Sequence, residues 1–186
     1  MRLFGKFLDL LSDPKWEHRL TGWSLEEKIA QLIHVPAWSN RGEAHLQELA
    51  SLVENYSIGG VVFFQGSAPA QSSWTHSLQK LASTPLLISM DAEWGLGMRL
   101  DRTPAFPYQM TLGALEEENL VYRMGQEIGR QLREIGVHIN YAPVVDINTH
   151  PRNPVIGFRS FGSDPLRVYQ KAKAYADGLE DAGIMP

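Results

Sequence analysis

Ile58-Gly59-Gly60-Val61-Val62-Phe63-Phe64 is the stretch on which the fold turns. Val61 to Phe64 is a β-branched and aromatic run too short for a helix, and Gly59-Gly60 punctuates whatever comes before it. On its N-terminal side Gly42 and Glu43 open a helical stretch whose apolar side carries Leu46, Leu49, Ala50 and Val53. On its C-terminal side, residues 69 to 82 read as a helix with Trp74, Leu78 and Leu81, and Pro85 introduces a second strand, Leu86-Leu87-Ile88-Ser89-Met90. Near-continuous apolar strands that alternate with amphipathic helices predict a parallel sheet covered by helices.

The alternation continues outward. Ser24 followed by Glu27 is a capping-box pattern, and Leu25, Ile29, Leu32 and Ile33 behind it predict one buried helix face. A loop rich in Gly and Pro is expected from Asp91 to Leu115. The strongest helix spans Glu118 to Ile135, with Leu120, Val121, Met124, Ile128, Leu132 and Ile135 on one stripe and Glu116 to Glu118 at its start, where the dipole favours them. Gly136 ends it. Val137 to Tyr141 and Val144 to Ile147 then read as strands, and a second long loop runs to Ser163. The last helix, Asp164 to Asp181, presents Val168, Ala172, Tyr175 and Leu179, with Ser163 or Asp164 at the N-cap and Pro165 in the first turn. Gly183 closes it, and Ile184-Met185-Pro186 looks like the opening of another strand.

The chain has 186 residues, 44% hydrophobic and 20% charged, which suits one domain with a real core. It is short of the about 250 residues of a full eight-unit barrel. A net charge of −4 with scattered basic residues argues against a nucleic acid or an anionic membrane as partner. With no cysteine, disulfides and thiolate chemistry are excluded. No apolar stretch approaches the roughly 20 residues of a spanning helix, so the chain reads as soluble, without membrane insertion. Lys6 and Asp9 interrupt the apolar run from Met1 to Leu11, and no small-residue cleavage site follows, so no secretory signal is evident. The compartment stays open: cytoplasmic, or periplasmic or secreted if a signal was trimmed.

Chemistry is expected at the carboxyl ends of the strands, where the loops of a parallel βα sheet are free to vary. Position selects Asp91, Glu93 and Arg99 after Met90, then Asp146, Asn148 and Arg159 after Val145, with Gln65 a weaker candidate after Phe64. Carboxylates accept hydrogen bonds from sugar hydroxyls, and a guanidinium fork donates to them. The same residues also fit an Asp–Arg pair that closes a loop, or an Arg159 bridge to Asp146 or Glu93. Trp94 could offer its face to a sugar ring or plug the end of the sheet. Val155, Phe158 and Phe161 are expected to pin the loop that carries Arg159, and Asp146 either orients that loop or touches ligand. His138 reads as a satisfied core residue, and Trp16, Trp23 and Trp38 as packing residues. His18, His34, His45, His76, His138 and His150 lack metal-ligand spacing, and no HExxH, GxSxG, GxGxxG or P-loop pattern occurs.

Taken in order, six pieces resemble glycoside hydrolase family 3: Ser24 to Leu32, Ile58 to Phe64, Asp91 to Arg99, Phe106-Pro107, Tyr141 to Asp146 and Asn153 to Pro165. Each is modest alone; the ordered set is specific, and it covers nearly the whole chain from Ser24. The loop Pro154-Val155-Ile156-Gly157-Phe158-Arg159-Ser160-Phe161-Gly162 is similar to the β-N-acetylhexosaminidase branch rather than the β-glucosidase branch. Ala92 and Trp94 stand where members of the family commonly carry Gln and Gly, which leaves the detailed sugar specificity open.

The resemblance implies the N-terminal portion of a (β/α)8 TIM-type barrel, incomplete, at residues 24–186, after an N-terminal extension at 1–23. It implies a retaining hydrolase of terminal β-linked N-acetylglucosamine, with Asp91, Arg99 and Arg159 binding the sugar and Glu93, Trp94 and Asp146 supporting them. No metal or organic cofactor is implied, and the partner is a saccharide that contains N-acetylglucosamine. The family's Lys-His segment, its acid/base pair and its nucleophilic aspartate would follow Pro186, so the isolated chain is expected to have no catalytic residue, to be inactive and to self-associate through exposed barrel edges. Two other readings stay open: a non-catalytic carbohydrate-binding or interaction half-barrel, and a piece of a β-glucosidase or β-xylosidase of the same family.

Overall fold

The computed structural model describes residues 20–186; the readings of Met1 to Leu11, Trp16 and His18 lie outside them. Helix α1 (Leu25–Ala30) starts with the expected capping box, Ser24 Oγ accepting the Glu27 N–H at 3.2 Å and the Glu27 carboxylate accepting the Ser24 N–H at 2.7 Å. Its apolar face, however, is not buried. Leu25, Ile29, Leu32 and Ile33 are exposed, Leu32 by 84%. Periodicity marks an apolar face without naming a neighbour to cover it, and α1 is secured instead at its end. There the Gly59 N–H donates to the Ala30 carbonyl at 2.9 Å, and the Gln31 amide donates to the Ser57 carbonyl at 2.6 Å.

Chain order then gives β1 (His34–Ala37), α2 (Glu43–Tyr56), β2 (Gly60–Phe63), β3 (Gly66–Ser67), α3 (Ala68–Leu81) and β4 (Leu87–Met90). These are followed by β5 (Leu100–Asp101), α4 (Gln109–Gly113), α5 (Glu118–Glu134), β6 (Ile139–Asn140) and α6 (Pro165–Asp181). The main sheet runs β1-β2-β4-β6, every pair parallel, with Ala37 beside Phe63, Phe63 beside Met90 and Met90 beside Asn140. Met185 continues the series: its N–H donates to the His138 carbonyl and its carbonyl accepts from the Asn140 N–H, at 3.0 and 2.9 Å. Parallel strands adjacent in chain order, each followed by a covering helix, form an arc of a βα barrel, as expected.

The core lies between this arc and its helices. Val61, Phe63, Ile88 and Met90 meet Leu49, Val53, Trp74, Leu78, Val121, Ile128, Leu132 and Leu179 there, all buried. Leu81 and Leu120, expected on the buried stripes, sit at helix ends and are exposed. Helices α5 and α6 approach closely because both carry glycine at the crossing. A Cβ on Gly125 would lie 2.4 Å from the Tyr175 carbonyl oxygen.

Two loop expectations need correction. Residues 91–115 contain a 3-10 turn at Leu96–Met98, the strand β5 paired with β3, and α4. Val144 to Ile147 is not a strand; Val145 and Ile147 are exposed. The backbone groups of Val144 are taken by a side chain, Gln109, whose Oε1 accepts the Val144 N–H at 3.1 Å while its Nε2 donates to the Val144 carbonyl at 2.9 Å. A strand-like composition cannot reveal that substitute for a ladder.

Candidate functional site

Asp91 emerges directly from β4, and Arg99 returns to it eight residues later across the Leu96–Met98 turn. Arg99 Nη2 donates to Asp91 Oδ2 at 2.6 Å and Nε to the Asp91 carbonyl at 3.3 Å. Both side chains remain partly accessible. Gly95, at φ +88°, makes the turn possible, since a side chain there would also press on Phe106 at 2.8 Å.

Arg99 is also held from its other face. Its guanidinium carbon lies 4.9 Å from the centre of the Phe64 ring, Phe64 stacks on Trp38 at 5.3 Å, and Arg41 covers Trp38 at 3.7 Å. Trp38 follows β1 and Phe64 follows β2, so the stack Arg41–Trp38–Phe64–Arg99 crosses three strands at their carboxyl ends. Trp38 packs as expected, but at the rim. Cation–π contacts of this kind contribute about 0.5–2 kcal/mol each, more as water is excluded.

Arg159 arrives from the far loop and meets Glu93. Its Nε lies 3.0 and 3.1 Å from the two carboxylate oxygens, and Nη2 lies 2.7 Å from Oε1. Glu93 is 2% exposed and Arg159 38%. The hydrogen bond that Arg159 donates to Glu93 raises the pKa of Arg159 first of all, burial opposes this, and the charges of Asp91 and Asp146 add to the rise. Asp91, Arg99, Glu93, Arg159 and Asp146 therefore share one rim and one field. Asp146 itself is exposed and supports the loop through its carbonyl, which accepts from Ser160 Oγ at 2.6 Å. Among the described residues, no hydrogen bond or ion pair joins the Asn148 or Gln65 side chain to this group.

Several residues that position the rim were not singled out in the sequence. Asn140 is fully buried, and its Oδ1 accepts the Ala92 N–H at 2.9 Å. Tyr175, equally buried, donates its hydroxyl to the carbonyls of Ala92 and Glu93 at 3.2 and 3.1 Å; burial raises its pKa and keeps it a neutral donor. Gln109 adds a bond from Nε2 to the Arg159 carbonyl at 2.5 Å. The one available signal is Asn140, the only amide in the strand-like run Val137 to Tyr141. Tyr175 reads as an ordinary core residue, and nothing marks Gln109.

The loop anchors also differ from expectation. Phe161 is buried, whereas Val155 and Phe158 are exposed. Trp94 does not stand free: its ring meets Tyr108 edge-on at 4.8 Å, and Tyr108 lies against Phe158 at 6.4 Å. His138 is exposed rather than core, yet its Nδ1 is satisfied by the Ile88 N–H at 3.0 Å.

Known proteins resemble this chain over most of its length. The family described as "Glycosyl hydrolase family 3 N terminal domain" matches residues 24–186. The β-hexosaminidase LpqI of Mycobacterium bovis is 35% identical over 172 residues, a match covering 88% of this chain and 42% of that protein. The solved structure of a glycoside hydrolase family 3 β-N-acetylglucosaminidase from a Paenibacillus species superposes with a TM-score of 0.80 at 31% identity, covering 88% of this chain and 32% of the other. That of the β-glucoside phosphorylase BglX gives 0.83 at 28% identity, covering 91% and 30%.

Proposed function

The chain belongs to glycosyl hydrolase family 3, and on that premise we propose that Asp91, Arg99 and Arg159 grip the terminal N-acetylglucosamine of a β-linked saccharide, in a protein that hydrolyses such ends with retention of configuration. One observation carries this. The Asp91–Arg99 pair and the Glu93–Arg159 pair stand on one strand-end rim although Arg159 is 66 residues from Glu93. Asp91 supplies acceptors and the two arginines supply forked donors, the complement of a ring of hydroxyls. Glu93 fixes Arg159, Trp94 walls the edge, and Asp146 adds negative charge behind the loop. No organic cofactor or metal is required by this chemistry.

The chain spans about a quarter to a half of the length of the relatives it matches, and we propose that by itself it holds sugar without cleaving it. Retaining hydrolysis needs two carboxyl groups, one an acid/base and one a nucleophile, flanking the bond. The two carboxylates closest to this rim, Asp91 and Glu93, are each engaged by an arginine.

Calorimetric titration of the chain with N-acetylglucosamine tests the site. Measurable binding is expected, lost in Asp91→Asn and weakened in Arg159→Lys, which keeps the charge but not the fork. No heat from the unaltered chain would refute it. A β-glucoside ligand is the second reading, favoured by the likeness to BglX; tighter binding of glucose in the same titration would establish it. Turnover of an aryl N-acetyl-β-glucosaminide that disappears in Asp91→Asn would overturn the proposed inertness.

A further inference from the structure

Trp94, Tyr108 and Phe158 form a line of rings that starts beside Glu93 and ends beside Arg159. Its inner member is half-buried, but Tyr108 is 49% and Phe158 69% exposed. The loop has no packing need for Phe158, because Phe161 three residues later is the buried anchor. Nor is the pair free to collapse. Gln109, next to Tyr108, is tied to the Arg159 carbonyl and to both backbone groups of Val144, which fixes the start of α4 against the loop that carries Phe158. Two large rings, lying 26° from parallel, are thus held open to water at the edge of a polar site. Exposed aromatic surface maintained in this way marks a contact surface.

We propose that Tyr108 and Phe158 are a stacking platform for the second sugar of the saccharide, on the leaving-group side of the residue gripped by Asp91, Arg99 and Arg159. The inference rests on the sugar site proposed above and extends it by one unit. The ring of a β-linked pyranose presents a face of C–H groups that an aromatic plane can cover, while its hydroxyls point sideways into water. Arg159, one residue from Phe158, donates at the junction between the two units. The platform would make the site prefer a chain end over a free monosaccharide, and any pyranose with an open C–H face would serve as the second unit.

The experiment is a pair of calorimetric titrations on the full 186-residue chain, one with N-acetylglucosamine and one with the β-linked disaccharide of the same sugar. The disaccharide is expected to bind about five- to tenfold more tightly, the size of one ring contact. In Phe158→Ala that ratio falls to near one, and in Phe158→Trp it is retained. Asp91→Asn abolishes binding of both ligands together. Equal affinity for the two sugars in the unaltered chain overturns the platform while leaving the first-sugar site standing, as does a ratio that survives Phe158→Ala. A loss of monosaccharide binding in Phe158→Ala at unchanged thermal stability would place the ring in the first site and also overturn the proposal. Binding of neither sugar removes the parent site and the platform with it. Sedimentation of both variants completes the test: a change of oligomeric state on losing Phe158 makes the pair a protein contact and refutes a sugar one.

Discussion

Arg159 is the hydrogen-bonding partner of a carboxylate, Glu93, that is almost wholly removed from water. An isolated carboxylate in such a place would be costly, so the arginine supports the rim as well as any ligand. Arg159→Ala should therefore destabilise the fold by about 3 kcal/mol, the low end for a broken buried pair because the guanidinium is itself partly in water. Urea unfolding at pH 7 measures this. Pairing the change with Glu93→Gln should recover about half of the loss, since the stranded charge is gone. A single variant as stable as the unaltered chain would show that Glu93 has another partner.

Phe64 touches no proposed ligand, yet it backs the guanidinium of Arg99 at 4.9 Å. Phe64→Leu keeps most of the apolar volume and removes the ring quadrupole, so stability should change by less than about 1.5 kcal/mol. Sugar affinity should fall about three- to tenfold, as Arg99 loses one of its two supports. Calorimetry on that variant decides it; unaltered affinity would mean that Asp91 alone aligns Arg99.

Much of this architecture is legible in the sequence, because parallel strands such as Gly60–Phe63, with Val61 and Phe63 buried and Val62 half-buried, read as short apolar runs. Positions of the candidate residues followed from the same logic: Asp91, Glu93 and Arg99 had to leave β4 at its carboxyl end. What stayed hidden was coverage and partnership. The apolar face of α1 was visible, but its exposure was not, since a spacing pattern carries no information about the neighbour. Val144 to Ile147 looked like a strand because composition cannot show a Gln109 side chain standing in for a ladder. Whether Arg159 would take Glu93 or Asp146 depended on a contact spanning 66 residues, beyond the reach of local reasoning.

His138 links the sheet to pH. Its backbone N–H donates to the Ile88 carbonyl at 2.8 Å, and its Nδ1 accepts the Ile88 N–H, so the ring must carry no proton on that nitrogen. Partial removal from water lowers its pKa below 6.5, and burial acts on His34 in the same direction. A base with a depressed folded-state pKa contributes fully above its unfolded value and loses that contribution as pH falls through the folded one. The urea midpoint should thus decline as pH falls below about 6.5. His138→Gln, which keeps an acceptor but cannot titrate, should flatten the decline. An unchanged slope in that variant would assign the effect to His34.

Gly178 connects helix packing to the rim. A Cβ there would sit 2.2 Å from the Tyr122 carbonyl oxygen and 2.8 Å from the Gln126 backbone nitrogen, both on α5 and neither able to retreat without moving the helix. By intrinsic propensity Gly178→Ala should stabilise α6 by about 1 kcal/mol. Overpacking against backbone opposes that with about 1–3 kcal/mol, and the steric term is expected to win because the contact is far inside van der Waals distance. Urea unfolding should show a net loss. One turn earlier on α6 lies Tyr175, whose hydroxyl holds the carbonyls of Ala92 and Glu93. Pushing α6 away from α5 would therefore also loosen the strand-end loop, and sugar binding should weaken along with stability. A more stable Gly178→Ala chain with full binding would mean that the two helices have room to spare and that Tyr175 does not depend on their spacing.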